Sequence, residues 1–156
     1  MKPNIDISDQ NRQAVADILN ALLADEYVLF TKTRNAHWNI TGSNFMELHK
    51  FFEGQYEALD EIIDQVAERV RTLGHYSLAS LADFLKVTRL SEGEALSSES
   101  SALKTLLENH EVLISSMRKD IITINDKHKD LGTADFITGI MEQHEKMAWM
   151  LRAYLS

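Results

Sequence analysis

Apolar residues recur along this chain at spacings of three and four in four long runs, the period of helices that bury one face. The first run starts after the cap candidates Ser8 and Asp9. It passes through Val15, Leu19, Leu22, Leu23, Phe30 and Thr33 to His37, and ends near the Thr41-Gly42 break. The second, opened by Ser43 or Asn44, is Phe45, Leu48, Phe52, Tyr56, Leu59, Ile63, Val66 and Val70, with Gly74 placed where a glycine ends a helix. Between His75 and Ser101 the period loosens: YSLASLADFLK supports short apolar turns, and LSEGEALSSESS is small, acidic and loop-like. A third run extends from Leu103 to Ile124, and a fourth, with Thr133 as its expected cap, from Ile137 to Leu155; the short polar stretch NDKHKDLGT separates them. Two hairpins joined by one long crossover predict an all-α fold, an antiparallel four-helix bundle with a short helix in the crossover. Residues 1–156 read as a single domain, with 1–8 a short N-terminal extension.

Polar residues that share these stripes need explaining, because a desolvated charge without a partner is costly. His37 and Glu26 lie on the first stripe. On the second helix, at about 100° per residue, His49, Glu53, Asp60 and Asp64 fall within about 60° of one another, and Glu68 about 40° further round. His49 and Glu53 are one turn apart and can grip one ion; so can Asp64 and Glu68. His49 and Asp64, however, are separated by roughly 22 Å of helix axis, so one straight helix cannot offer both pairs to a single metal. The turn between the first two helices can bring His37 to the first pair. The second pair is completed most economically by another copy of the chain, its second helix packed antiparallel about a two-fold axis.

Two other readings stand beside this one. An intrachain di-iron carboxylate site needs Glu-x-x-His on two helices, and the residues three before the six histidines are Arg34, Met46, Thr72, Leu107, Asn125 and Met141, which excludes it. A purely structural reading makes Asp64 and Glu68 a solvated face paired with Arg69 and Arg71. Spacing alone leaves this reading and the metal reading open. His110 and His144 are expected as hydrogen-bonded core histidines helped by Glu108, Glu111, Glu142 and Glu145, and Trp38 and Trp149 as core or interface aromatics.

Composition narrows the chemistry. The 156 residues carry 16 Lys and Arg against 24 Asp and Glu, a formal net charge of −8. Such a field repels nucleic acid and anionic membrane and attracts cations. There is no cysteine, so thiolate metal sites, iron–sulfur clusters and thiol nucleophiles are excluded, and any metal is held by nitrogen and oxygen. The start of the chain lacks a basic and apolar leader, and no apolar run approaches the roughly 18 residues of a membrane span. The expectation is a cytoplasmic protein with no membrane partner.

Three segments together resemble the Dps family, the DNA-binding proteins from starved cells or mini-ferritins: AHWNITGSNFMELHKFFE, DQVAERVRTLG and GTADFITGIMEQHEKMAWMLRAYL. The family's metal ligands follow a spacing of His, His at +12, an acid at +16, Asp at +27 and Glu at +31, which falls here on His37, His49, Glu53, Asp64 and Glu68. One departure is present: the acid at +16 is usually Asp, and Glu53 is a methylene longer. The resemblance implies ferritin-like bundle connectivity and a hollow dodecamer. It implies a ferroxidase that binds ferrous iron, oxidises it preferentially with hydrogen peroxide, and stores the ferric product as a stress defence. The first three ligands would come from one subunit and the last two from its two-fold mate, with Trp38 as an accessory beside the site that absorbs stray oxidising equivalents. Zinc, cobalt or manganese would bind the same nitrogen and oxygen donors. Asp126, Asp130 and Asp135 resemble the acids of the family's three-fold pores. DNA binding in many members rests on a Lys/Arg-rich tail. Here Lys2 is followed by Asp6 and Asp9 before Arg12, so DNA binding is expected to be weak or absent. The competing functions are a non-enzymatic DNA-condensing stress protein and a plain helical interaction module.

Overall fold

A computed structural model of the chain describes residues 2–93 and 96–156. Glu94 and Ala95, in the middle of the loop-like stretch, lie outside the described residues. Among the described residues five α-helices follow in order: α1 (Asp9–Asn39), α2 (Phe45–Thr72), the short α3 (Leu81–Val87), α4 (Glu99–Ile122) and α5 (Leu131–Tyr154). α1 packs along α2 and α4 along α5, and the two hairpins meet mainly through α1 and α4. The apolar stripes form one core, in which Leu19, Leu22, Phe52, Leu59, Leu106 and Leu113 are among the largest fully enclosed side chains.

Local chemistry sets the ends of the helices. The Ser8 hydroxyl accepts from the Asn11 amide and caps α1. Gly74, at φ +86°, ends α2, with its amide donating to the Arg71 carbonyl and the following amide of His75 to the Val70 carbonyl. α4 runs directly into a π-helical turn, Thr123–Lys127, and the cap of α5 is Asp130 rather than the expected Thr133. The Asp130 carboxylate accepts from the Thr133 amide at 2.9 Å and from its hydroxyl at 2.6 Å. Thr133 is therefore the residue capped, and the helix starts three residues earlier than the apolar pattern suggests.

The crossover is strapped along α1 by a series of α1 side chains. The Asn20 amide bridges the Tyr76 carbonyl and the Leu78 amide. Buried Asp25 accepts from the Thr88 hydroxyl and from the Arg89 amide and guanidinium, whose other nitrogen reaches Asp120 on α4. Lys32 donates to the Ser91 carbonyl, the Asn35 carboxamide accepts from Leu96, and Thr41 bonds Ser97. The order of these contacts carries the chain back up the length of α1, so α4 begins beside the start of α2 and runs parallel to it.

The partners expected for two core histidines are different in the structure. Glu108, Glu111 and Glu142 face solvent and Glu145 is half-buried; Glu111 and Glu145 bond Arg152 and Arg118 across the α4–α5 surface. His110 and His144 are fully buried, their Nδ1 atoms 3.0 Å apart, and His144 Nε2 lies 3.0 Å from a carboxylate oxygen of Glu26 on α1. The sequence pattern placed Glu26 on the buried stripe but offered no sign of which helix faces it.

Candidate metal centre

The five-residue turn between α1 and α2 folds the last full turn of α1 against the first turn of α2. Glu99, at the start of α4, secures it: its carboxylate accepts from the Asn44 amide at 2.9 Å and from the Asn44 side chain at 3.1 Å. Asn44 precedes α2 without capping it through its own side chain, so Glu99 supplies the acceptor that the helix N-terminus lacks. Gly42, at φ +148°, lies directly under this carboxylate, where a Cβ would collide with it.

Across that turn His37 and His49 make a reciprocal pair. His37 Nδ1 donates to the His49 carbonyl at 2.7 Å, and His49 Nδ1 donates to the His37 carbonyl at 2.8 Å. Carbonyl oxygens only accept, so both Nδ1 atoms carry the hydrogen, and each neutral ring keeps its lone pair on Nε2. The rings stack with centroids 3.7 Å apart, flanked by Phe45 against His49 and the edge of Tyr56 against His37. His37 is buried and His49 half-buried. Two oriented imidazole nitrogens with their opposite N–H groups held by backbone form the outer arrangement that metal-ligating histidines use. Glu53 follows one turn later on α2 and is half-buried.

Asp64 and Glu68 stand on the solvent face of α2, as does Asp60. The arginines of the structural reading are engaged elsewhere: Arg69 donates to the Thr133 hydroxyl and reaches Asp130, while Arg71 donates to the His75 carbonyl and stacks on Tyr76. Among the described residues of one chain, no three His, Asp or Glu side chains converge as a set able to hold an ion. Trp38 is 63% exposed beside the histidines. The Arg34 guanidinium lies over Trp38, Tyr56 and Phe30 at 4.9, 4.9 and 5.4 Å from their centroids, a cation–π cluster that the sequence analysis missed. Its signal was available in the i, i+4 spacing of Phe30, Arg34 and Trp38. Of the three candidate pore acids, Asp126 and Asp135 are exposed, whereas Asp130 is buried in its capping role.

A ferritin-like domain model matches residues 16–156. The DNA protection during starvation protein of Helicobacter pylori is 35% identical over 141 residues, covering 90% of this chain and 97% of that protein. The chain belongs to the Dps family. An uncharacterised low temperature-induced protein of Nostoc sp. is 44% identical over 153 residues, 97% of this Dps chain and 86% of that protein. The crystal structure of the Dps protein from Vibrio cholerae O1, described as a member of a broad superfamily of ferritin-like diiron-carboxylate proteins, superposes with a TM-score of 0.93. It is 32% identical in sequence, and the match covers 99% of this chain and 97% of that one. The fold likeness agrees with the up, down, down, up helix order built from the crossover. Among the described residues no helix is long and apolar enough to cross a membrane.

Proposed function

We propose that this Dps chain is the subunit of a hollow dodecamer that oxidises ferrous iron with hydrogen peroxide and retains the ferric product, protecting the cell from oxidative damage. The observation that carries this reading is the reciprocal His37–His49 pair, which leaves two Nε2 lone pairs free, with Glu53 one helical turn further along α2. Asp64 and Glu68, exposed on α2 without the arginine partners of the structural reading, complete the set when a two-fold mate brings them to the first three ligands. Imidazole nitrogen with carboxylate oxygen suits ferrous iron, and the added negative charge favours the ferric product.

In the reaction each of two ferrous ions loses one electron. The two electrons and two protons cleave the O–O bond of hydrogen peroxide to two waters, so no hydroxyl radical is released. The protein's part is to hold both ions at one shared site and to keep the imidazoles oriented. Trp38, exposed and covered on one face by the Arg34 guanidinium, is the residue assigned in this reading to absorb stray oxidising equivalents. Asp126 and Asp135 are the acids offered to an entry route, where symmetry would repeat them and focus cations; Asp130 holds the turn that presents them.

Replacing His37 and His49 together by alanine tests this. Peroxide-driven oxidation of ferrous iron, followed by ferric absorbance, is expected to slow by at least about tenfold, the lower bound for disturbing a ligand set. An unchanged rate overturns the reading. The competing DNA-condensing function faces a net charge of −8. In a mobility-shift assay at neutral pH and physiological salt, the protein is expected to leave linear duplex DNA unretarded.

A further inference from the structure

Arg34 is a cation held among rings rather than beside an acid. Its guanidinium carbon lies 4.9 Å from the ring centroids of Trp38 and Tyr56 and 5.4 Å from that of Phe30. Phe30 and Trp38 stand one turn to either side of it on α1, and Tyr56 reaches it from α2, so the cluster spans the first hairpin. Its Nε is buried and has no hydrogen-bond partner. No ion pair among the described residues includes it. A guanidinium neutralised by a carboxylate exerts little net field on its surroundings, whereas this one keeps its full charge against the rings.

Trp149 is the natural comparison. The two tryptophans are almost equally exposed, Trp38 at 63% and Trp149 at 61%. Among the described residues, however, no cation covers the ring of Trp149. The difference bears on how readily each ring gives up an electron. The face of a neutral indole attracts a guanidinium. Once the ring has lost an electron it is a radical cation, so the attraction disappears and two like charges face each other at 4.9 Å. Both changes make the electron harder to remove. Tyr56, whose ring edge meets His37, lies under the same charge.

We infer that Arg34 raises the one-electron oxidation potential of Trp38 and so sets how strong an oxidant must be before this ring yields an electron. The functional meaning rests on the ferroxidase reading proposed above. When peroxide meets two ferrous ions, they supply both electrons and the ring is not called on. When it meets one, iron supplies one electron and Trp38 the other. With two protons the O–O bond opens to two waters, and the indole radical cation then releases its ring N–H proton to solvent. Without the cation the ring would also yield electrons to weaker oxidants and be consumed between such events. A guanidinium has no lone pair to offer iron, so Arg34 acts through Trp38 and is a positioning residue in charge rather than a ligand.

The test needs no iron, so its failure is distinct from failure of the ferroxidase reading. The full-length protein is treated with limiting chlorine dioxide, a small neutral oxidant that takes one electron and becomes chlorite, and so is neither drawn to nor repelled by a charge at position 34. Peptide mass spectrometry reads the loss of Trp38 relative to Trp149, which serves as the reference for dose. Arg34→Gln removes the charge and is expected to raise this ratio at least about threefold. The lost attraction and repulsion together correspond to at least about tenfold in the oxidation equilibrium, of which about half on a logarithmic scale reaches the rate. Arg34→Lys keeps a cation and is expected to stay within about twofold of the wild-type ratio. Arg34→Leu is a second neutral variant, and all are compared at unchanged helical circular dichroism. An unchanged ratio in the neutral variants overturns the inference. A ratio in Arg34→Lys as high as in Arg34→Gln overturns it as well, because the guanidinium would then merely shield the ring.

Discussion

At the scale of single residues, the histidine pair shows how backbone can set the chemistry of a side chain. Each ring uses its Nδ1 hydrogen on the other's carbonyl, so tautomer and orientation are decided before any ion arrives. Glu53 is the residue in this neighbourhood that departs from the family's usual Asp, and its extra methylene extends the carboxylate's reach from the third turn of α2. Lys32 illustrates a different balance. It is buried with its ammonium on the Ser91 carbonyl and the Asn109 side chain, and burial pushes its pKa below the ordinary 10.5, against opposing help from Glu108 and Glu92. Below 10.5 there is consequently an interval in which the unfolded chain binds a proton that the folded chain has released, so stability rises with pH across it. The neutral amine still has two hydrogens for its two acceptors. Lys32→Met lacks this titration. In denaturant unfolding, the stability difference is expected to move in the wild type's favour as pH is raised from about 7 to about 10, starting within about 1 kcal/mol of zero. A difference independent of pH would show that the folded-state lysine is not perturbed.

At the scale of elements, the α1–α2 turn depends on a carboxylate from a third helix. Glu99 lies 55 residues beyond Asn44 in sequence and provides the acceptors that the start of α2 does not have. Glu99→Ala is expected to cost about 1 kcal/mol in denaturant unfolding, the usual value of a lost helix cap. Since the first turns of α2 carry His49 and Glu53, the same substitution is expected to slow ferrous oxidation several-fold without abolishing it. A stability loss with full activity would mean that the turn and the histidines are uncoupled. The α4–α5 corner follows the same logic. Asp130 closes it by capping α5 and by meeting Arg69 of α2, at 3.5 Å, so this acid joins the two hairpins. Its exposed neighbours Asp126 and Asp135 are left for solvent and ions.

At the scale of the whole molecule, a shared site has a signature that no intrachain site can produce. Subunits carrying His37→Ala with His49→Ala, and subunits carrying Asp64→Ala with Glu68→Ala, are each expected to be inactive alone. When the two are unfolded and reassembled together in equal amounts, half of the two-fold pairs are mixed. Each mixed pair contains one intact site, so about one quarter of the wild-type rate returns. No recovery in reassembled mixtures shown by mass to be mixed would place all five residues on one chain's site or on none. The charge of −8 belongs to this scale too, because it favours cation entry and disfavours phosphate backbones whatever the local geometry.

The sequence by itself determined the number and order of the long helices, the crossover between hairpins and the axial distance that keeps His49 and Asp64 from one metal. Those follow from local periodicity and helical rise, which neighbouring residues set among themselves. It also brought His37 toward His49, since only a short turn separates them. Tertiary structure alone decided which side chains answer one another across helices. The glutamates nearest His110 and His144 in sequence point outward, while Glu26, far away along the chain, meets His144 inside the core. Arg69 turns to Thr133 and Asp130 instead of Asp64, and Asp130 rather than Thr133 begins α5. The physical reason is that helix periodicity specifies a face and not its partner. Partners are chosen by the packing of four helices at once, where each buried polar atom must find a donor, an acceptor or an ion.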